Sequence, residues 1–468
     1  MPTKKKGSKV NLLTIFIAII TGLATIISVL VALNSNNTYK NIGIAGFIVL
    51  LFVLLYIYIY YYNRTFFKYK NKTLLYTCIY IIVMVPVVFM NKLPYLLIPI
   101  PIAGMLIAMM IDNRLGIITN LVLTIVGLLV SGNGIEFFIF YVISGSLACL
   151  VISQAKKRNK IVFISAFLVI INVILVLLIN LYKYGSLTNL QLTDIFYGIL
   201  NSIFSVIITI GSLPLWETLF DVATPVKLLE LTNSDHKLMQ RLLIEAPGTY
   251  HHSQMVSNLA QTAANDIGCN ALLAKTGALY HDIGKLKNPI YFTENQNGVN
   301  PHDDLDPISS AKIIINHVDY GVKLATENHL PKPIRSIIKQ HHGNTLVKYF
   351  YHEAKENSDG FVVDENEFKY NGPKPQTNEA AIIMLADCVE AYVRALPESK
   401  RTLTNIEVCI DEIINNKFQE GQLNECNLKI KELPIIGYSF MKVYNGLYHE
   451  RVEYPNDKGE DEVVNNNK

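Results

Sequence analysis

Residues 271–285 read ALLAKTGALYHDIGK, an apolar run that ends in an adjacent histidine and aspartate, His281 and Asp282. The run Ala271–Ile283 predicts a helix, and Gly284 is predicted to end it as a C-cap glycine. Imidazole and carboxylate groups are both ligands for transition metals. This segment therefore predicts a helical domain with a polar site at a helix end.

Other histidines and one aspartate occur in similar settings on separate predicted helices. All eleven histidines of the chain lie after residue 235. By the helical period, His252 shares a face with apolar residues and should point inward. The remaining positions are marked by flanking residues: His317 between Pro307 and Gly321, His341–His342 between Pro333 and Gly343, and Asp387 within the apolar run 380–393.

Taken singly, each of these side chains is more often an ordinary core or capping residue than a ligand. Taken together, they would be costly to bury, because each polar group that is buried without a partner costs on the order of 2–7 kcal/mol. Bound metal ions would offset that cost. The pattern predicts a metal site in a helical bundle. Mixed histidine and carboxylate ligands favour iron, manganese or zinc over magnesium or calcium.

Charge divides the sequence into two halves. From Met1 to Trp216 there are three acidic residues and sixteen lysines or arginines, whereas the remainder holds 35 acidic and 25 basic residues. So little charge over more than 200 residues is typical of segments that lie in hydrocarbon. Residues 1–216 are therefore predicted to form a membrane domain in a lipid bilayer.

A bilayer core of about 30 Å requires roughly 20 apolar residues for each helical span. Eight stretches meet this description approximately, at 11–33, 41–62, 74–90, 94–111, 115–131, 136–153, 161–182 and 192–216. Lysine and arginine gather at the N-terminus and in the 63–73 and 154–160 loops. By the positive-inside rule, eight spans place both termini in the cytoplasm.

The second half is predicted to be helical throughout, with few alternating strand-like runs. Residues 217–245 are interpreted as a helical connector, 246–455 as a cytosolic domain and the Asn-rich 456–468 as a disordered tail. The predicted fold class is all-α. No ionisable residue lies in the middle of a span, which disfavours a transporter and favours anchoring or sensing.

Several segments around the His-Asp pair resemble the seven-transmembrane HD family, whose members include PgpH-type cyclic-di-AMP phosphodiesterases. The resemblance covers nearly the whole chain. The segments that carry it are PLWETLF at 214–220, EAPGTYHHS at 245–253, YHDIGK at 280–285, YFTENQ at 291–296, HHG at 341–343, FKYNGPKPQTNEAAIIMLADCVEA at 368–391 and HERVEYP at 449–455.

The resemblance implies an HD-domain phosphohydrolase in a bacterial cell membrane, with two divalent metal ions, manganese or iron. Its implied ligands are His252, His281, Asp282, His317, His341, His342 and Asp387. Asp282 would bridge the two ions. His252, His281 and Asp387 are assigned to one ion, and His317, His341 and His342 to the other.

The implied reaction is hydrolysis of cyclic-di-AMP to linear pApA by a metal-bridging hydroxide. Asp282 and Lys285 are predicted to be catalytic, with Lys285 contacting a substrate phosphate. The segment HHGNTLVKYFY at 341–351 lacks the GYP motif associated with cyclic-di-GMP. The family's usual extracellular domain after the first span is also missing, since only 34–40 occupy that place.

Other functions stay open at this point. An HD hydrolase of another nucleotide, such as a nucleoside triphosphate or guanosine tetraphosphate, would use the same chemistry. A catalytically silent receptor would bind a nucleotide and signal through a partner. The acidic second half argues against long nucleic acid as a partner, and a homodimer is compatible with the sequence without being indicated by it.

Overall fold

The structure is a computed structural model that describes residues 11–63, 66–67, 70–90, 92–153, 158–358 and 362–447. The chain divides into two compact units. The first extends to Asn233 and includes Pro331–Pro333, and the second contains 234–330 and the residues from Ile334 onward. The predicted boundaries at 216 and 245 are drawn on composition and stay predictions.

The first unit is a bundle of apolar helices. Its helices are α1 (Leu12–Leu33), α2 (Thr38–Tyr62), α3 (Lys70–Phe89), α4 (Ile100–Met110), α5 (Asn113–Ser131), α6 (Ile135–Ile152), α7 (Arg158–Tyr184), α8 (Leu192–Phe220) and α9 (Pro225–Leu231). Seven of them, α1–α3 and α5–α8, are long and apolar enough to cross a membrane. The chain is therefore a multi-pass membrane protein.

The predicted span at 94–111 is not one long helix. It consists of a 3₁₀ turn, Tyr95–Leu97, and the 11-residue helix α4. Pro99 and Pro101 cause the break, because proline lacks the N–H that continues a helix. At 1.5 Å per residue α4 is about 16 Å long, too short for a regular span.

The irregular backbone before α4 is buried inside the bundle. Ile98 is fully buried, and its carbonyl oxygen accepts hydrogen bonds from the Tyr141 hydroxyl at 2.7 Å and from Asn201 Nδ2 at 3.0 Å. The Tyr141 hydroxyl also lies 2.5 Å from the carbonyl oxygen of Tyr95. Side chains of α6 and α8 thus supply partners that a continuous helix would supply itself.

The second unit is also helical. It contains α10 (Lys237–Glu245), α11 (Pro247–Asp266), α12 (Ala271–Tyr280), α13 (Pro307–Glu327), α14 (Lys332–Gln340), α15 (Lys348–Glu356), α16 (Asn378–Ala395), α17 (Leu403–Gln419) and α18 (Leu433–Leu447). Among the described residues, β-structure is limited to a single antiparallel bridge between Leu346 and Lys369. The predicted all-α fold class is confirmed.

Helix α11 is the centre of this second unit, where it packs against α12, α16 and α18. Its small buried residues Ala260, Ala263 and Ala264 allow the neighbouring helices to approach closely. Helix α16 is buried over most of its length, from Ala380 to Val393. Helices α11 and α16 carry two of the predicted site residues, His252 and Asp387, so the core itself positions part of the site.

Some sequence predictions concern residues outside the described ranges. They include the N-terminal lysines, half of the basic residues in the 63–73 and 154–160 loops (Arg64, Lys68, Lys156 and Lys157), the segment at 449–455 and the tail 456–468.

Candidate metal centre

The structure brings all seven predicted ligands together in the second unit. His252 lies on α11, His281 and Asp282 directly follow α12, His317 lies on α13, His341 and His342 follow α14, and Asp387 lies on α16. Six of these side chains are buried, and His342 is partly exposed. His251, which precedes His252 on α11, is exposed.

Their ligand atoms form two groups. The His252 group consists of His252, His281 and Asp387, and the His317 group consists of Asp282, His317, His341 and His342. Within each group, one nitrogen or oxygen atom from every residue lies within 4.8 Å of the others. The histidines and Asp387 fall into the two sets that the sequence prediction assigns to separate ions, and Asp282 lies with the His317 group.

Asp282 faces both groups through different oxygen atoms. Its Oδ1 lies 3.2 Å from His317 Nε2 and 3.6 Å from His341 Nε2. Its Oδ2 lies 3.3 Å from His281 Nε2 and 3.6 Å from His252 Nε2. A carboxylate with one oxygen toward each group has the geometry of a bridging ligand.

Three of the histidines are oriented by their own backbone. The Nδ1 atoms of His281, His317 and His341 each lie 2.6–2.7 Å from the carbonyl oxygen three residues earlier. Because a carbonyl only accepts, each Nδ1 must carry a proton, so in the neutral imidazole the Nε2 that faces the site has the lone pair. This is the tautomer that metal binding through Nε2 requires.

Two glycines hold the His-Asp turn against α13. A Cβ atom on Gly284 would lie 1.8 Å from the carbonyl oxygen of His317 and 2.6 Å from the backbone nitrogen of Gly321. The prediction that Gly284 is a C-cap glycine is wrong, since it lies in a 3₁₀ turn without a positive φ. Gly321 does not end its helix either, because α13 continues to Glu327. Both positions are glycine because the two backbones touch.

Lys285 lies beside the two groups, with 12% of its side chain exposed, and is ion-paired with two carboxylates. Its Nζ lies 2.8 Å from Asp282 Oδ2 and 2.6 Å from Glu294 Oε1. Burial disfavours the charged amine, but these two carboxylates outweigh burial and hold the pKa of Lys285 above its ordinary value. In the same way, Lys285 overcomes the effect of burial on Glu294 and lowers its pKa to about 2.

The site has the donor chemistry of a metal centre. The Nε2 atoms of His252 and His281 and the Oδ1 atom of Asp282 are buried, and among the described residues none of the three has a hydrogen-bond partner of good geometry. Burial lowers the pKa of His341 and, more strongly, of His342. Burial would lower the pKa of His252 and His281 as well, but the neighbouring carboxylates outweigh burial and raise both, that of His281 to about 10. The converging imidazole nitrogens and carboxylate oxygens fit one or more divalent cations, which would displace ring protons on binding.

The sequence interpretation missed residues that surround the ligands. The Glu390 carboxylate contacts His252 Nδ1, and the Tyr370 ring stacks on His342 with 4.2 Å between ring centroids. Glu390 follows Asp387 by one helical turn, so the shared face was a usable signal. Glu294 and Tyr370 lie in irregular segments, where no periodicity indicates which way a side chain points.

A buried cluster of this composition on an all-helical unit, with a His-Asp doublet at its centre, defines an HD-domain protein, here joined to a multi-pass membrane domain. The family model described as "7TM receptor with intracellular HD hydrolase" matches residues 38–224, and the HD domain model matches residues 249–392. The chain belongs to the seven-transmembrane HD family. Residues 34–37 alone join α1 to α2.

Named relatives match both units. The cyclic-di-AMP phosphodiesterase PgpH of Bacillus subtilis is 37% identical over 90% of this chain, and that of Listeria monocytogenes is 41% identical over 77%. The chain covers 61% and 50% of their respective lengths. The crystal structure of the L. monocytogenes PgpH HD domain with cyclic-di-AMP is 50% identical, with a TM-score of 0.44; it covers 47% of this chain and is itself covered completely.

Proposed function

We propose that the protein is a membrane-anchored, metal-dependent phosphodiesterase that hydrolyses cyclic-di-AMP to pApA. The observation that carries this proposal is the pair of ligand groups that share Asp282. Two-metal centres of this kind serve in-line displacement at phosphorus. The substrate is inferred from the PgpH enzymes, which are similar to this chain over 90% and 77% of its length.

Two divalent ions, manganese or iron, are proposed as the cofactors. His252, His281 and Asp387 would hold one ion, His317, His341 and His342 the other, and Asp282 would bridge them. When bound, such ions supply an activated water and stabilise charge on the phosphate oxygens. Their preference for mixed nitrogen and oxygen ligands supports manganese or iron over magnesium or calcium.

Lys285 is proposed to contact the substrate phosphate. An ammonium group has three N–H donors, and Asp282 and Glu294 use two of them. The third is free to donate to a phosphate oxygen. Because its pKa is raised, Lys285 would act as a fixed positive charge and hydrogen-bond donor. A catalytic role as a proton donor is not part of this proposal.

We further propose that the protein lies in the bacterial cell membrane with both termini in the cytoplasm. This orientation follows from the basic loops of the sequence if 95–110, with the short helix α4, crosses the membrane as an eighth segment. The lipid bilayer and the cyclic dinucleotide are then its partners. Long nucleic acid is no partner because the second half of the sequence is acidic, and a homodimer is left as an alternative to a monomer.

The test is hydrolysis of cyclic-di-AMP and cyclic-di-GMP by the full chain in detergent with Mn²⁺. We expect rapid formation of pApA from cyclic-di-AMP, much slower cleavage of cyclic-di-GMP, and no cleavage by the His281→Ala, Asp282→Ala double variant. A folded and metal-loaded chain that leaves cyclic-di-AMP intact would refute the proposed substrate. Turnover of another nucleotide in the same assay would replace it.

A further inference from the structure

The histidines of the two groups differ in what holds the ring nitrogen that faces away from the site. In His281, His317 and His341 this nitrogen, Nδ1, donates to a neutral backbone carbonyl. In His252 it contacts the carboxylate of Glu390 instead. The nearest carboxylate to His342 Nδ1 belongs to Asp387 at 3.8 Å, beyond hydrogen-bond distance. Among these five histidines, His252 is therefore the one whose Nδ1 lies within hydrogen-bond distance of a carboxylate.

The surroundings of Glu390 keep its carboxylate in place. Glu390 is 8% exposed, and it lies on α16 one helical turn after Asp387. The guanidinium of Arg394, one turn further along, lies 3.8 Å from the Glu390 carboxylate and 3.9 Å from that of Glu294. A buried carboxylate with a nearby cation and a histidine N–H is a stable acceptor.

We propose that Glu390 is a positioning residue that makes the two metal ions unequal, with the ion of the His252 group bound more tightly. A carboxylate on Nδ1 fixes the ring orientation and makes Nε2 a more basic ligand, an effect that backbone carbonyls provide more weakly. It also adds one negative charge beside the His252 group. This inference rests on the proposed metal dependence, but it does not depend on which nucleotide is cleaved.

The experiment is binding of Mn²⁺ alone to the metal-free full chain in detergent, followed by calorimetry or by electron paramagnetic resonance. We expect two classes of site in the unaltered protein. Glu390→Gln retains the shape of the side chain but removes its charge. It should weaken the tighter class by about 10–100-fold, as is typical for loss of such a partner, and leave the weaker class within about threefold.

Two further variants separate this role from a simple change of net charge. Glu294 also lies beside Arg394, but its carboxylate contacts none of these five histidines. Glu294→Gln should therefore weaken the tighter class less than Glu390→Gln does. Glu390→Asp keeps the charge but is one methylene too short to reach His252, so it should behave like Glu390→Gln. Circular dichroism of each metal-free variant verifies the fold.

Equal weakening of both classes by Glu390→Gln would overturn the proposal, as would full recovery of affinity in Glu390→Asp. A single class of identical sites in the unaltered protein would overturn it as well. Failure to hydrolyse cyclic-di-AMP would leave the binding result unaffected, so the two proposals fail independently.

Discussion

Gly284 touches α13 so closely that a single methyl group at this position should disturb the metal centre. A Cβ atom would lie 1.8 Å from the His317 carbonyl oxygen, which is backbone and cannot rotate away. We expect Gly284→Ala to cost at least about 1–3 kcal/mol, as overpacking in a core does, and to reduce bound Mn²⁺ by more than half. Thermal unfolding and elemental analysis measure both effects.

Gly446→Ala is the matched control for this substitution. Gly446 lies on α18, and a Cβ atom there has no neighbour within 4 Å among the residues that the structure describes. Since alanine is favoured over glycine in helices by up to about 1 kcal/mol, this variant should be as stable as the unaltered chain or slightly more stable. Equal behaviour of the two variants would show that the contact at Gly284 is unimportant.

The ion pair between Lys285 and Glu294 predicts a defined response to acid. Burial alone would raise the pKa of Glu294, but Lys285 lowers it to about 2. A carboxyl group whose pKa falls on folding stabilises the folded state above its unfolded pKa, near 4.5, and this stabilisation is lost as the pH falls toward 2. The shift corresponds to about 3 kcal/mol.

Urea unfolding of the metal-free chain at pH 7 and pH 3, followed by circular dichroism, measures this contribution. We expect Glu294→Gln to lose less stability than the unaltered chain when the pH is lowered. Glu398→Gln, which alters an exposed side chain, should leave the pH response unchanged. If Glu294→Gln loses as much stability at pH 3 as the unaltered chain does, the ion pair contributes little to the free energy of unfolding.

At the residue scale, the sequence was sufficient to predict which candidate ligands lie together, but not which residues support them. His252 and Asp387 were predictable because an apolar helix face fixes the direction of a polar side chain on it. Glu390 went unassigned because a glutamate on a helix is usually exposed. Gly284 and Gly321 were misinterpreted because a helix-ending glycine and a close-contact glycine are the same residue in sequence.

The interrupted segment before α4 depends on partners from other helices. Tyr141→Phe removes the hydroxyl that reaches the carbonyl oxygens of Tyr95 and Ile98. Asn201 still donates to the Ile98 carbonyl oxygen, whereas the Tyr95 carbonyl oxygen loses this hydrogen bond. An unsatisfied buried carbonyl costs about 1–3 kcal/mol, and we expect a lower thermal unfolding midpoint in detergent. Tyr182→Phe, on an exposed part of α7, is the control and should leave the midpoint unchanged. Equal midpoints for Tyr141→Phe and the unaltered chain would refute the prediction.

At the element scale, hydropathy located every apolar segment but did not show that one is broken. The stretch 94–111 is as apolar as its neighbours, and prolines are tolerated in membrane helices. The break is stable because Tyr141 and Asn201, 30 or more positions away in sequence, hydrogen-bond the freed carbonyls. Such long-range partners are not visible in a local pattern.

At the scale of the whole molecule, we expect the two units to respond separately to metal removal. Ions that bind only the folded second unit stabilise it by about 2.7 kcal/mol at 100 times their dissociation constant. The single tryptophan, Trp216, is buried in the first unit and reports on that unit alone. A chelator should therefore speed amide hydrogen exchange in α11 and α16 and leave the thermal transition of Trp216 fluorescence unchanged. A shift of both signals would contradict this independence.

The proposed function requires two metal ions, held by two ligand groups that share Asp282, for the protein to hydrolyse a cyclic dinucleotide. The most direct measurement is the rate of cyclic-di-AMP hydrolysis as the metal-free full chain is titrated with Mn²⁺, with bound metal determined at each point. We predict little activity with one ion per chain, a plateau at two, and no activity at any loading in Asp282→Asn. Full activity at one ion per chain, or undiminished hydrolysis by Asp282→Asn, would contradict the claim.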